Sequence, residues 1–484
     1  MNSKEKLQRK ALVAIVDMMT KYIYKNPKRN MLRLVNIAEK VTGKMYPPAT
    51  YTTARDVITN ENNIWHSFLY KGLEEIDREI LKKAIISLGV DCGFFATKKL
   101  RAARDVYKCN IPWVILMDPT SACNLKCKGC WAAEYGYKQQ LTLGEMRDVV
   151  KQGKELGTHF YMFTGGEPLI KKDEIITLCK ENPDCAFLAY TNATLIDQKF
   201  CDELKQVGNL SLAISVEGSE ETNDDRRGQG IYEKVMAAMD LLKKNKCLFG
   251  ISVCYTSKNC EAVTSDEFID KMIEKGCRFA WYFHYMPIGC GADTELLLKP
   301  EQREMVYRRI RDLRSNKSGK GKPLFTVDFQ NDGEFVGGCI AGGRNYFHIN
   351  SAGDMEPCVF VHYSDSNIRK DTLLEALKKP LFMSYYKNQP FNDNMLRPCP
   401  MLENPQALRN MVNSCGAKST DLLSPESVET LCSKCDKYAS EWAPKAKEIW
   451  EEKERFHPYT QYYRDTPEGL AEAAERMKKE QNNK

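Results

Sequence analysis

The feature that most constrains the fold is a strict alternation of strand-like and helix-like segments through the middle of the chain. Six apolar segments of strand length, beginning at residues 113, 159, 186, 210, 248 and 279, are each followed by an amphipathic, helix-like segment. Strands that alternate with helices pair in parallel, because each helix carries the chain back along one face of the sheet. This order predicts an α/β fold with a parallel sheet. The periodicity leaves open whether the sheet is flat and doubly wound or a partial barrel.

Regions of different character flank this central part. Residues 1–108 are predicted to form an N-terminal helical region, where apolar residues such as Leu12 and Ile15 recur at helical intervals. The basic, amphipathic stretch Lys25–Val41 is expected to dock on the main domain, with contact to a membrane surface as the alternative. A polar, Gly- and Lys-rich linker at 315–323 predicts a domain boundary. The expected units are residues 1–108, 109–314, 324–440 and a charged helical tail at 441–484.

The composition is that of a globular protein. Of the 484 residues, 43% are hydrophobic and 28% are charged, which excludes disorder throughout and low-complexity structure. The apolar run at 111–117 is far shorter than the roughly 20 residues of a membrane-spanning helix, and the first residues lack the pattern of a signal peptide. These observations predict a cytoplasmic protein. The net charge of +6, taken as spread along the chain, does not indicate a nucleic-acid partner.

The cysteines stand out in number and in spacing. There are 19, an odd number, and disulfide scaffolds belong to small secreted proteins, so reduced thiols that hold metal are the better interpretation. Cys123, Cys127 and Cys130 follow the first predicted strand with the spacing C-x3-C-x2-C. A structural zinc site needs four ligands, and no fourth Cys or His lies within twenty residues downstream of Cys130. The loop therefore predicts an iron–sulfur cluster with three local thiolates and one iron open to an external group.

This cysteine loop and a second motif resemble the radical S-adenosylmethionine (SAM) superfamily. Gly165, Gly166, Glu167 and Pro168 follow the second predicted strand and match the superfamily's GGEP motif. The resemblance implies a partial (β/α)6 TIM-like barrel with its cofactors at the carboxyl ends of the strands. It also implies that the three cysteines hold a [4Fe–4S] cluster whose open iron chelates SAM. One electron then cleaves SAM to a 5′-deoxyadenosyl radical, and the GGEP segment receives the SAM amino group.

Further positions resemble SAM contacts of the superfamily, each at or beyond the end of a predicted strand. Asn192 follows the third strand in TNA, where the family often has TNG. Ser215 and Glu217 close the fourth strand in an SxDG-like sequence, and Arg227 resembles an arginine that meets the SAM carboxylate in related maturases. The chain departs from the family at Gly129, because an aromatic residue usually precedes the third cysteine. The residue that packs on the adenine is therefore not indicated by this motif.

Beyond the linker, the cysteine spacing resembles the SPASM/twitch extension of the same superfamily. Cys339, Gly353 and Cys358 match the opening of that extension, whereas its usual next block, C-x2-C-x5-C-x3-C, is absent. Six cysteines after the linker allow one four-cysteine cluster, so the resemblance implies one auxiliary [4Fe–4S] cluster. A closed zinc or rubredoxin-like iron site that uses Cys432 and Cys435 is the alternative. After Cys339, Cys358 and Cys399, the fourth cluster ligand stays open among Cys415, Cys432 and Cys435.

These features together predict a radical SAM enzyme that modifies its substrate by hydrogen abstraction. By resemblance, the branch with auxiliary clusters mostly modifies peptides or protein side chains, so a peptide or protein substrate is expected. A lipid or small metabolite is the alternative, which the basic N-terminal stretch supports. A non-catalytic iron–sulfur electron-transfer protein is the alternative from another class, and the GGEP motif disfavours it. The resemblance also implies a low-potential electron donor, flavodoxin or ferredoxin.

Overall fold

The centre of the structure, a computed structural model, is an open sheet of nine strands with helices packed against it. The structure describes residues 3–42, 48–132, 139–289 and 291–454. The first six strands lie side by side in chain order and run parallel to one another. The predicted α/β fold with a parallel sheet is thereby confirmed, and an open, curved arrangement of this kind is what a partial barrel requires.

The six predicted strand–helix units are present, and each strand begins within one residue of its predicted start. Their elements are β1 (Val114–Met117), α7 (Leu143–Leu156), β2 (Phe160–Phe163), α8 (Lys172–Glu181), β3 (Ala186–Thr191), α9 (Gln198–Val207), β4 (Leu210–Ser215), α10 (Glu220–Arg227), α11 (Ile231–Lys244), β5 (Phe249–Tyr255), α12 (Asp266–Glu274), β6 (Phe279–His284) and α13 (Pro300–Arg314).

The described chain before β1 is helical, as predicted. Its helices are α1 (Ser3–Lys25), α2 (Pro27–Thr42), α3 (Pro48–Thr59), α4 (Ile64–Glu75), α5 (Arg78–Ala84) and α6 (Thr97–Tyr107). Between α5 and α6 the backbone forms a π-helical segment, Ile85–Ala96. This segment packs against α1, α6 and β3, and so joins the helical region to the barrel sheet. No helix of the described residues has the length and apolar character needed to cross a membrane.

Two strands that follow the linker join the same sheet at its opposite sides. β7 (Phe325–Asp328) pairs in parallel with β6, and β8 (Tyr346–Ile349) pairs in parallel with β1. β9 (Met355–Glu356) then folds back on β8 in an antiparallel hairpin. It ends after two residues, because Pro357 follows and has no N–H to donate to a ladder. The residues after the linker therefore widen the barrel sheet as well as forming the extension.

The rest of the extension is mainly helical and has its own apolar core. Its elements are α14 (Gly333–Val336), β10 (Tyr363–Ser364), α15 (Leu373–Leu377), α16 (Pro380–Asn388), α17 (Pro405–Cys415), β11 (Lys418–Ser419) and α18 (Val428–Glu454). α18 packs against α17 and α13, and Trp442, Ala446 and Ile449 on it are buried. The first residues of the predicted charged tail thus belong to a packed helix, and those from 455 onward lie outside the described residues.

Local sequence explains how the site is positioned. Thr142 and Glu145 form a capping box at the start of α7: the Glu145 amide donates to Thr142 Oγ1 at 3.2 Å, and the Thr142 amide donates to Glu145 Oε2 at 2.7 Å. Along the strands, alternate side chains face opposite sides of the sheet. Ile115 and Tyr161 pack in the core shared with the outer helices, whereas Phe160 belongs to a separate inner cluster. The inner side encloses the cavity described next.

Candidate functional site

The three cysteines of the first motif lie on the loop that leaves the carboxyl end of β1. Cys123 is exposed, Cys127 and Cys130 are partly buried, and all three line one large cavity inside the barrel. The loop is held from the other side of the barrel, because the Lys128 amide donates to the Arg226 carbonyl at 2.8 Å. The sequence spacing therefore places three thiols on one wall of a cavity, as an iron–sulfur cluster with three local ligands requires.

Two arginines at the end of α10 balance the negative charge that these thiols carry when ionised. Arg227 Nη1 lies 4.0 Å from Cys127 Sγ, and both Arg226 and Arg227 form ion pairs with the buried carboxylate of Glu217. Burial alone would lower the pKa of Arg227, but the charges of Glu217 and Cys127 outweigh it and raise that pKa. Both guanidinium groups line the cavity and stay cationic beside the cysteine loop.

The GGEP segment packs directly on the cysteine loop. The Gly166 amide donates to the Thr120 carbonyl at 2.9 Å, and the Glu167 amide donates to the Ala122 carbonyl at 2.9 Å. A Cβ atom on Gly166 would lie 2.1 Å from the Ala122 carbonyl oxygen, so no larger residue fits there. The cysteine loop and the GGEP segment, which both resemble motifs of the radical SAM superfamily, therefore form one continuous backbone surface that faces the cavity.

Glu167 is held by the protein itself rather than pointing freely into the cavity. Its carboxylate accepts hydrogen bonds from the Leu169 amide at 2.9 Å, Thr191 Oγ1 at 2.7 Å and the Asn192 amide at 2.8 Å. The side chain is 1% exposed, and this burial raises the pKa of Glu167 while the three hydrogen bonds oppose the rise. The carboxylate therefore ties the end of β2 to the end of β3 and fixes the backbone between them.

The other predicted cofactor residues divide into two groups. Asn192 donates to Asn124 Oδ1 of the cysteine loop at 2.9 Å, and Ser215 lies in the cavity wall. Glu217 is buried behind the two arginines, so its role in this geometry is to orient them. Gly165, Gly166, Glu167, Asn192, Ser215 and Arg227 line the cavity, whereas Pro168 and Glu217 do not.

The departure from the family at Gly129 has a structural reason. Gly129 has φ +63, and a Cβ atom there would lie 2.7 Å from the ring of Tyr285, which follows β6. The ring of Tyr285 thus occupies the space that an aromatic residue at 129 would need, and it lines the cavity next to Cys130. Sequence reasoning missed Tyr285 and Arg226. The adjacent arginine in DDRR was a usable signal for Arg226, but nothing local pointed to a tyrosine so distant in the chain.

The cavity itself is large and mostly apolar, with a volume of about 900 Å³. The charged side chains among the described residues that line it are Glu167, Arg226 and Arg227, all near the cysteine loop. Aromatic side chains dominate elsewhere, and they include Phe160, Tyr190, Phe279, Trp281, Phe283 and Phe360. The cavity therefore has a charged end at the cysteines and a long apolar interior.

Three cysteines of the extension reach the same cavity from the other side. Cys339, Cys358 and Cys399 line its wall. The Tyr346 hydroxyl lies 2.8 Å from Cys358 Sγ, and Cys399 Sγ accepts from the backbone amides of residues 401 and 402 at 3.4 and 3.3 Å. These contacts would stabilise thiolates, as hydrogen bonds to cluster sulfurs do. The structure thus places on one cavity wall the three cysteines that the sequence ranks first as candidate ligands.

The buried hydroxyl of Tyr385 lies near the same three cysteines of the extension. The Tyr385 hydroxyl is fully buried and has no hydrogen-bond partner among the residues that the structure describes. Burial, followed by the charges of Cys358 and Cys339, raises the pKa of Tyr385, so this hydroxyl stands close to the extension cysteines. A buried hydroxyl donor without an acceptor lowers the stability of the fold. A sulfur-rich cluster held by these cysteines would supply the missing acceptor.

The other three candidate ligands lie away from the cavity. Cys432 and Cys435 are fully buried on α18 in the apolar core of the extension, and burial raises the pKa of Cys432 to about 12. Cys415 ends α17 and donates to the Val412 carbonyl at 3.4 Å. Neutral thiols in an apolar core behave as small hydrophobic residues. None of the three lies on the cavity wall, so the fourth ligand stays open.

The geometry disfavours a mononuclear zinc or iron site in the extension. A tetrahedral site with Zn–S bonds of about 2.3 Å brings its sulfur atoms to within roughly 4 Å of one another. Among the described residues, the group of three or more potential ligands whose atoms all lie within 4.8 Å is His159, Asp184 and Cys185. That group is in the barrel and includes none of the extension cysteines. The described residues therefore give no support to the closed zinc or rubredoxin-like site with Cys432 and Cys435.

The comparisons with known proteins agree with this geometry. Residues 117–259 match the model of the Radical SAM superfamily. The AdoMet-dependent heme synthase of Methanosarcina barkeri is 26% identical over 293 residues, which cover 55% of this chain and 82% of that protein. The Fe-coproporphyrin III synthase of the same organism is 25% identical over 233 residues, or 46% of this chain and 57% of that protein.

A solved structure shares the fold. Streptococcus suis SuiB, in its structure bound to precursor peptide SuiA, aligns with a TM-score of 0.52 at 17% identity. The alignment covers 63% of this chain and 74% of that chain. At this identity the likeness shows the architecture of the barrel and of its surroundings.

Proposed function

We propose that this chain, a radical SAM enzyme with its radical SAM domain over residues 117–259, abstracts a hydrogen atom from an apolar substrate held inside the barrel. The observation that carries the proposal is the cavity, whose charged groups are confined to the cysteine end while its interior is aromatic and uncharged. Because the chain is an enzyme, the alternative of a non-catalytic electron-transfer protein is set aside.

The cysteine end suits the cofactors that the family implies. Cys123, Cys127 and Cys130 would hold a [4Fe–4S] cluster, and the cluster and SAM, when bound, supply a 5′-deoxyadenosyl radical that takes a hydrogen atom from the substrate. The backbone of the GGEP segment and the Asn192 side chain form the surface for the SAM amino group. Arg226 and Arg227 provide positive charge for the SAM carboxylate. One electron per cleavage comes from a low-potential donor, flavodoxin or ferredoxin, in the cytoplasm.

The interior favours the lipid or small-metabolite alternative over the expected peptide. Removing apolar surface from water gains about 25 cal/mol per Å², so an aromatic cavity selects ligands with extended apolar surface. A peptide backbone brings polar groups that need partners, and a macrocycle with carboxylates needs cations. Among the described residues, the lining away from the cysteine end offers no cation, and its neutral polar side chains there, such as Asn209, Ser211 and Asn345, are outnumbered by aromatic ones. The names of the two heme-pathway relatives support a small molecule in general, and this lining narrows it to a neutral, apolar one.

We also propose one auxiliary [4Fe–4S] cluster held by Cys339, Cys358 and Cys399. Support comes from the convergence of the three thiols on the cavity wall and from the two backbone amides that donate to Cys399. The orphaned Tyr385 hydroxyl supports it as well. The fourth ligand stays open among Cys415, Cys432 and Cys435, none of which lines the cavity. The cluster would lie at the part of the cavity wall that these cysteines line.

Isotope transfer tests the substrate class. The reconstituted full-length enzyme is incubated without oxygen with SAM, dithionite and either a perdeuterated long-chain phospholipid or a perdeuterated peptide mixture. We expect deuterium in 5′-deoxyadenosine only with the lipid, detected as a mass increase of about one unit per transfer. Deuterium transfer from the peptides instead would overturn the proposed substrate and restore the peptide expectation. A preparation of Cys127→Ala treated identically gives the background.

A further inference from the structure

We infer that the barrel cavity has a second mouth at the amino ends of its strands, and that an anionic lipid bilayer docks there and passes its long apolar chains into the cavity. The inference rests on the proposed function, since it names how an apolar substrate reaches the site. It differs from that function in placing a binding surface on the N-terminal region, on the far side of the barrel from the cysteine loop.

The cavity wall continues to the amino end of the sheet. It includes Val114, Phe160, Phe279 and Phe325, the first residues of β1, β2, β6 and β7. It then extends past the strands to Leu88 of the π-helical segment. Phe325 is 49% exposed and Leu88 is 40% exposed, so solvent reaches the wall here. A ligand can therefore enter the cavity from the end away from the cluster.

The π-helical segment beside this mouth presents an apolar face to solvent. Its exposed residues are Ile85, Leu88, Gly89, Gly93 and Phe94, which recur roughly every four to five residues, one turn of a π-helix. No polar side chain belongs to this exposed set, and Phe94 is 63% exposed. π-helical backbone is rare and is frequently found at functional sites.

The buried side of the same segment carries its charged residue. Asp91 is 2% exposed and pairs with Arg9 through two hydrogen bonds, of 2.6 and 2.7 Å. A helix that faces water normally has the opposite polarity, with apolar groups inside and charges outside. Turning the carboxylate inward and a phenylalanine outward suits a face that meets an apolar medium, as in interfacial helices.

The positive charge of the N-terminal region indicates that the apolar medium is an anionic membrane. The positive charge is not spread along the chain as expected: residues 1–108 contain 21 Lys and Arg against 11 Asp and Glu, a net +10 within a chain of net +6. Exposed basic residues, among them Lys98, Lys99 and Arg101, follow the π-helical segment directly. Basic residues near an anionic membrane surface contribute about 1 kcal/mol each. An apolar face flanked by cations fits an anionic bilayer, and the adjoining mouth gives a lipid chain a route without crossing water.

Vesicle binding tests the surface independently of catalysis. Full-length holoenzyme is floated with vesicles of phosphatidylcholine alone and of phosphatidylcholine mixed with phosphatidylglycerol. We expect binding to the mixed vesicles that weakens as salt is raised. The double variant Ile85→Ser/Phe94→Ser should bind about tenfold less, because two apolar anchors are lost. The double charge reversal Lys98→Glu/Arg101→Glu should weaken binding by at least about thirtyfold, because two attractive charges of about 1 kcal/mol each are lost and their sign is reversed.

The controls separate this inference from the proposed function. Tyr386→Ser removes a similarly exposed apolar group from α16 in the extension and should bind vesicles like the wild type. All variants should form 5′-deoxyadenosine from SAM alone at the wild-type rate, since none touches the cysteine end. Absence of wild-type binding to anionic vesicles overturns the docking surface, even if detergent-dispersed lipid still transfers deuterium. A dimer that Ile85→Ser/Phe94→Ser dissociates would also overturn it, because the face would then be a subunit contact.

Discussion

The cysteines of the barrel loop and those of the extension are built into the fold in different ways. Cys123, Cys127 and Cys130 lie within eight residues of one loop, and their partner motif follows the adjacent strand. Cys339, Cys358 and Cys399 come from three separate segments, and the structure alone shows that they converge on the cavity. Local spacing therefore predicts the first group, whereas only tertiary packing assembles the second.

The surroundings of the two groups differ as well. Two arginines and the GGEP backbone surround the barrel cysteines, so that end is charged and suited to a zwitterionic cofactor. Tyrosine hydroxyls and backbone amides surround the extension cysteines. The site at the barrel cysteines is suited to bind and activate a zwitterionic cofactor. The site at the extension cysteines is suited to stabilise a cluster. The following predictions test this division, beginning with the largest effect.

Removal of one barrel cysteine should eliminate the reactive cluster and leave the extension cysteines unaffected. Cys127→Ala is expected to abolish formation of 5′-deoxyadenosine and to remove about four irons per chain, because a cluster with three protein ligands does not survive the loss of one. The fold should persist, since Cys127 lies on a loop outside the apolar cores. Iron analysis, circular dichroism and product chromatography give the three readouts.

A matched substitution shows that the effect belongs to the loop. Cys179→Ala removes a fully buried thiol from α8 and should leave iron content and SAM cleavage unchanged, with a modest loss of stability from the cavity it creates. If Cys127→Ala still cleaved SAM at the wild-type rate, the assignment of the reactive cluster to this loop would be wrong.

The independence of the extension can be tested by removing all three barrel cysteines. A variant with Cys123, Cys127 and Cys130 replaced by Ala should keep about four irons with [4Fe–4S] absorption, because the auxiliary cluster has separate ligands. Mössbauer spectra check the cluster type. Adding Cys358→Ala should then remove the remaining iron. Zinc in place of a cubane would show that the extension is a structural metal domain. The extension cysteines could then no longer be compared with the barrel cysteines as ligands of a second iron–sulfur cluster.

The predictable parts of the molecule are those determined over short stretches of sequence. The strand–helix alternation follows from local periodicity, and the structure confirms it. The capping box at Thr142 and the hairpin of β8 and β9 likewise depend on local capping and turn chemistry. The pairing of β8 with β1 is not encoded locally, because its two strands lie more than two hundred residues apart. The contact between Tyr285 and Gly129 could not be predicted for the same reason, because the two residues lie far apart in the chain.

The role of Glu167 illustrates the same limit within a recognised motif. The motif predicts a carboxylate near the SAM amino group, whereas the structure shows both carboxylate oxygens occupied by protein donors. Two of those donors come from the end of β3, which the motif does not include. A short motif identifies where a residue lies, but its partners depend on the neighbouring strand.

Substitution of Glu167 should have an intermediate effect that is confined to the barrel site. Glu167→Ala leaves three buried donors without an acceptor, each worth about 1–3 kcal/mol, and loosens the GGEP backbone. We expect SAM affinity to fall by roughly one to two orders of magnitude while both clusters still assemble. Titration with SAM, followed by calorimetry or by the cluster's spectrum, measures the change.

The matched control is Glu181→Gln, which removes a carboxylate from the surface end of α8 that pairs only with exposed Arg147. Its SAM affinity should equal that of the wild type. Unchanged affinity in Glu167→Ala as well would mean that the hydrogen bonds to β3 do not position the SAM surface, and Glu167 would lose its place in the site.

The smallest expected effect concerns the surroundings of the auxiliary cluster. Tyr385→Phe removes a buried hydroxyl that lacks an acceptor within the protein, so the fold should be retained or slightly stabilised. With a cluster in place, the same hydroxyl would donate to a cluster sulfur and favour the reduced, more negative state. The variant's auxiliary cluster should therefore have a more negative reduction potential, while SAM affinity stays unchanged.

The measurement uses the variant without barrel cysteines, so that the auxiliary cluster is the remaining signal in a redox titration followed by electron paramagnetic resonance. Tyr363→Phe is the matched control, because that buried hydroxyl already donates to the Glu426 carbonyl at 2.9 Å, away from the cavity cysteines. Its potential should match that of the parent. An unshifted potential in Tyr385→Phe, with the cluster present, would place the hydroxyl outside hydrogen-bond reach of the sulfurs. A shift in Tyr385→Phe alone would establish that the extension, unlike the barrel loop, tunes its cluster through neutral donors rather than through charge.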